Sequence, residues 1–100
     1  MIELNGVLNA DTASKLEFTI NQILEKGLSP NILIDLKKLS FISSAGIGVF
    51  IGSISKIRGL GGDIRFCNAG DEIIEIFSFL EMENFFKFYP SYEEAINAFN

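Results

Sequence analysis

The segment Asn31-Ile32-Leu33-Ile34-Asp35-Leu36 is a nearly continuous apolar run of strand length, without the alternation of a strand that keeps one face in water. A strand buried on both faces belongs in a parallel or mixed sheet covered by helices. The rest of the chain alternates between strand and helix patterns in the same sense. Ile2 and Leu4 alternate with Glu3 and Asn5 in a short half-buried strand, suited to a sheet edge and ending at Gly6. Asn9-Ala10-Asp11-Thr12 supplies capping residues for a helix whose stripe is Ala13, Leu16, Ile20, Ile23 and Leu24, and Gly27-Leu28-Ser29-Pro30 breaks it. Lys37, Lys38 and Ser40 read as the turn after the apolar run. Asp63–Asn68 reads as a strand with Ile64 and Phe66 on one face, followed by a helix capped by Asp71 and lined by Ile73, Phe77 and Leu80. Phe85–Tyr89 is a short strand ended by Pro90, and Ser91-Tyr92-Glu93-Glu94 is a capping box for a last helix through Ala95, Ile96 and Phe99. The expected fold is α/β: a small, mixed, mostly parallel sheet of about four strands covered by about four helices.

Composition then removes whole classes of function. The chain has 100 residues, 48% hydrophobic and 21% charged, which fits one globular domain burying roughly 60–70% of its unfolded surface. Its net charge is −5 and its basic residues are scattered, so neither a nucleic-acid backbone nor an anionic membrane is expected as a partner. It has no histidine, so it cannot assemble a Ser-His-Asp or Cys-His nucleophile or an ordinary His/Cys zinc site; no enzyme activity, metal or cofactor is expected. The single cysteine, Cys67, excludes an internal disulfide and reads as core. With no signal peptide and no apolar run of membrane-spanning length, the expected compartment is the cytoplasm. The ten phenylalanines read as core filling, and Phe18 and Phe79, which fall off their helical stripes, as single exposed rings.

Chemistry is suggested at one place, Phe41-Ile42-Ser43-Ser44-Ala45-Gly46-Ile47-Gly48-Val49-Phe50-Ile51-Gly52. Ser43 and Ser44 are both capping residue types, and Ile47, Ile51 and Ile54 recur at i, i+4 and i+7. This spacing predicts a helix opening at the serine pair, running to about Arg58 and closed by Gly59-Leu60-Gly61-Gly62. A hydroxyl at a helix N-terminus can be a plain cap, or a phosphate acceptor stabilised by backbone N–H groups and the helix dipole. Ala45, Val49, Gly52 and Lys56 form a second stripe, with Gly48 at its margin. Each interior glycine costs about 1 kcal/mol of helix propensity relative to alanine, so this small face is there either for another element of the domain or for a partner's helix. The glycines match a nucleotide-binding loop only partially, because they fall inside the predicted helix; nucleotide or small-ligand binding is the rival reading.

The apolar strand, the Leu39-Ser40-Phe41-Ile42 approach, the Ser43-Ser44-Ala45-Gly46-Ile47-Gly48-Val49-Phe50 helix start and the Gly61-Gly62-Asp63 turn into Ile64–Cys67 resemble bacterial anti-sigma factor antagonists of the STAS domain family. The resemblance covers nearly the whole chain, residues 1–100 as one domain. It implies a phosphorylation-controlled interaction module that binds an anti-sigma factor serine kinase, releases a sigma factor and so regulates transcription. The phosphorylated form dissociates, and a serine phosphatase restores it. Ser44 stands at the family's phosphoacceptor position, with Ser43 a weaker candidate; Ser43, Ser44, Ala45, Gly48, Val49 and Gly52 would form the partner-binding face. Two departures stand out. Ser43 replaces the family's usual Asp, and the strand of Ile2–Gly6 resembles the family's second strand, the first being absent. A bare sheet edge left in this way could pair with another copy. An unphosphorylated scaffold in a larger complex is the alternative within the family.

Overall fold

The computed structural model describes residues 2–27, 31–82 and 84–99, the side chain of Phe99 excepted. Strands and helices alternate strictly: β1 (Ile2–Leu8), α1 (Ala10–Glu25), β2 (Asn31–Ile42), α2 (Ser44–Gly59), β3 (Asp63–Cys67), α3 (Asp71–Phe79), β4 (Lys87–Tyr89) and α4 (Tyr92–Phe99). The sheet order is β1-β2-β3-β4 and all three ladders are parallel, so the expected mixed sheet is corrected to a parallel one. The cause is the helix between every pair of neighbouring strands, which returns the chain to the same end of the sheet.

Capping follows the sequence at α1, where the Asn9 side chain accepts from the Asp11 and Thr12 amides and Thr12 Oγ1 accepts from the Asn9 amide at 2.8 Å. The stripe expected on that helix holds, with Ala13, Leu16 and Ile20 buried. The breaker at Leu28-Ser29-Pro30 lies outside the described residues. At α3 the cap is Gly70, not Asp71; Asp71 is the first helical residue, where its carboxylate faces the positive end of the helix dipole. Leu80 is the C-cap of α3 and is exposed, not part of its buried face. At α4 the Glu94 amide donates to Ser91 Oγ at 3.2 Å, as expected of a capping serine.

Two strand boundaries move. Gly6, with φ +76°, does not end β1; the strand continues to Leu8 and takes up the irregularity as a register shift against β2 between Gly6 and Val7. Lys37, Lys38 and Ser40 are not a turn either. They lie within β2, because β1 carries the ladder onward by pairing Asn5 with Lys38 and Gly6 with Leu39. Their polar side chains stand away from the core while Leu39 is buried between them; Ser40 Oγ donates to the Gly6 carbonyl at 2.9 Å.

The main core lies on the sheet face that carries Ile32, Ile34, Leu36, Ile64 and Phe66, where α1, α2 and α3 pack. Phe50, Phe66, Phe77 and Phe86 are buried there with ring centroids 5.0–6.4 Å apart, and Phe88 stacks on Phe66. The opposite face carries Leu33 and Cys67, which form a small cluster with Ala95 of α4. Burial there pushes the Cys67 thiol above its usual pKa, and the charges of Asp35 and Glu93 push it the same way. Core filling does not account for every phenylalanine: Phe18, Phe41, Phe79 and Phe85 are exposed.

Candidate functional site

The chain leaves the central strand β2 at Ile42 and enters α2 through Ser43. The Ser43 amide donates to the Leu8 carbonyl at 2.8 Å, tying the ends of β1 and β2 together where the helix starts. Ser43 is the N-cap, with extended backbone, and its Oγ accepts from the Gly46 amide at 3.3 Å. Close approach favours Gly46: a Cβ on it would stand 2.8 Å from Leu8 Cδ2 and Cγ, shorter than carbon contacts tolerate, and a tight 3.0 Å from Ile42 Cγ1. Ser44 follows as the first helical residue and is exposed. No acidic residue occupies the first turn of α2, and Lys56 and Arg58 lie in its last turn. The helix ends as the glycines require. Gly61, at φ +86°, donates to the Arg58 carbonyl, and Gly62 donates to that of Ile57.

The two faces of α2 differ from expectation at one position. Ile47 and Ile54 are buried, but Ile51 is 39% exposed, and the inner face is completed by Gly46, Phe50, Ser53 and Ile57. The cause is angular: at about 100° per residue the buried Gly46, Ile47, Phe50, Ser53, Ile54 and Ile57 are centred near Phe50, and Ile51 lies about 100° from that centre. On the outer face Ala45, Gly48 and Gly52 are exposed, whereas Val49 is half-buried against the core. A Cβ on Gly48 or Gly52 would meet nothing within 4 Å, so no described part of the domain needs either glycine.

Sequence reasoning missed a second wall. Beside Ser43 and Ser44 runs an open groove of about 630 Å³, whose α3 side is Glu72, Glu75, Ile76 and Phe79. Their i, i+3, i+4, i+7 spacing puts them on one helical face. Phe41 and Leu80 complete its apolar lining. The end of α3 is fixed sharply after this face, since Glu81, at φ +58°, donates to the Ser78 carbonyl and Met82 to that of Phe77. A residue with a side chain in that left-handed region costs roughly 1–2 kcal/mol. The signal was present in the sequence as Phe79, off its stripe, but periodicity within one helix could not show that Phe41 and Ser44 face it.

Thus Ser43 and Ser44 meet α3 across the groove, and Ala45, Gly48 and Gly52 extend outward along α2 from that point. The glycines of the partial nucleotide motif lie inside α2, and the space at Gly46 is filled by Leu8 and Ile42, so there is no glycine loop in the turn before the helix to cradle phosphates. No described helix is long and apolar enough to cross a membrane.

A one-layer parallel sheet with three helices on one face and one on the other, and a serine-capped helix leaving an inner strand, defines the class of this small α/β domain. The chain belongs to the STAS domain family, whose model matches residues 1–95. Among its relatives are the anti-sigma F factor antagonist of Paenibacillus polymyxa, 26% identical over 98% of this chain and 81% of that protein, and the candidate anti-sigma factor antagonist BtrV of Bordetella bronchiseptica, 31% identical over 96% of this chain and 82% of the relative. A solved structure of the Bacillus cell fate determinant SpoIIAA in its phosphorylated form superposes with a TM-score of 0.74, at 21% identity, over 98% of this chain and 87% of that one. The relatives fit a partner-switching interaction module.

Proposed function

We propose that this domain, residues 1–100, is an anti-sigma factor antagonist switched by phosphorylation of Ser44. Unphosphorylated, it binds an anti-sigma factor serine kinase and so frees a sigma factor; phosphorylated, it lets go, and a serine phosphatase returns it to the binding form. The observation that carries this reading is the division of labour between the two hydroxyls. Ser43 is half-buried with its oxygen engaged by the Gly46 amide, while Ser44 stands exposed at the first helical position. There a phosphate meets the positive end of α2, so the modified helix stays folded. Phosphate would add about −1.5 to −2 charge beside a small, partly apolar face, and a docked partner would have to desolvate it. The docking surface is Ser43, Ser44, Ala45, Gly48, Val49 and Gly52, with Val49 contributing only its exposed edge.

The test is intact mass and peptide mapping after incubation with ATP and the anti-sigma kinases of the source organism, expecting one phosphate on Ser44. Ser44→Asp should abolish kinase binding with far-UV circular dichroism unchanged, and Ser44→Ala should bind constitutively. Equal binding by both would remove Ser44 from the mechanism. Pairing of two copies through β1 has that strand's edge position in its favour, while its irregular ladder around Gly6 works against addition of a further strand.

A further inference from the structure

We propose that the groove between the start of α2 and α3 receives an amphipathic segment of the partner, carrying one large apolar side chain and two Lys or Arg. The apolar side chain packs against Phe41 and Phe79, and the two cations lie against Glu72 and Glu75. This rests on the reading of Ser44 as the switch and adds what the partner must present there.

Large apolar side chains stand exposed around this groove. Phe79 is 86% exposed, Phe41 49% and Leu80 38%, and all three line one groove beside Ser44. A single exposed ring needs no explanation, but large apolar side chains gathered around one concavity mark a surface that is covered by something else. Aromatic anchors of this kind carry most of the binding energy at interfaces. The charge along the groove is acidic. α3 presents Glu72 and Glu75 on the same face as Phe79, and among the described lining residues there is no Lys or Arg to neutralise them. An acidic partner would desolvate carboxylates against its own charge; a doubly basic one compensates them.

The charge count also gives the switch its direction. Two carboxylates and two cations leave the closed groove neutral, and a phosphate on Ser44 leaves about −1.5 to −2 charge that the partner has no group to offset. A larger Arg cluster would reverse that sign, so the partner segment is limited to about two cations.

The test is affinity for each anti-sigma factor kinase of the source organism, purified and loaded with ADP, across a salt series. Phe79→Ser, at an exposed position outside the core, should weaken binding about 10-fold or more with unchanged circular dichroism and melting temperature. Glu72→Gln with Glu75→Gln should weaken binding and flatten its salt dependence. Wild-type affinity in both, while Ser44→Asp still abolishes binding, would overturn the groove as a docking site and leave the Ser44 reading standing. Tighter binding by the double Gln variant would overturn the basic partner. Wild-type affinity in all three, Ser44→Asp included, would overturn both.

Discussion

Glycine serves opposite ends on the two faces of α2. On the inner face, Gly46 is demanded by the domain itself, because Leu8 and Ile42 occupy the space its side chain would fill and the ends of β1 and β2 could not otherwise close on the helix. On the outer face, Gly48 and Gly52 stand in open space and weaken the helix with no described return inside the fold. The same residue type, two and six positions further along one helix, is therefore a packing requirement in one case and a sacrifice of stability in the other. Such a sacrifice at exposed positions fits the docking face proposed for α2.

Substitution at each face separates the two roles. Gly46→Val has the largest expected effect: Leu8 is itself enclosed, so the clash is relieved only by moving the core, and overpacking of this kind destabilises by roughly 1–3 kcal/mol, visible as a lowered denaturation midpoint. Gly48→Ala and Gly52→Ala should each move stability the other way, by up to about 1 kcal/mol, while weakening partner binding. A gain in stability with binding unchanged would show that the smoothness of the outer face is incidental. Ile51→Ser should change stability least, within about 0.5 kcal/mol, because Ile51 belongs to the outer face despite its spacing from Ile47; a loss comparable to a core truncation would return it to the inner face.

The strands and helices were legible because their apolar periods are local. The run at Asn31–Leu36 announced a sheet buried on both sides, and the serine pair announced the start of α2. What was not legible depended on neighbours remote in sequence. Gly6 and Lys37–Ser40 read as chain breakers until β1 and β2 are placed side by side, when the ladder carries both through. Ile51 failed because two spacings, i+3 and i+4, compete for one face, and the buried face is centred near Phe50, about 100° away from Ile51. At the candidate site, the serines and the small outer stripe could be found from the sequence. The α3 wall could not, since Glu72, Glu75 and Phe79 acquire meaning only across the groove from Ser44.

The sheet is also unevenly insulated. One face carries three helices over a continuous aromatic core, while on the other, among the described residues, Ala95 of α4 is buried against a small cluster of Leu33 and Cys67 beside Tyr89. Free energies of local opening follow the apolar surface an element buries, and the described cluster under α4 is smaller than the core on the opposite face. Cys67 lies beneath α4, so the rate at which a thiol reagent modifies it would read how often that side of the sheet opens.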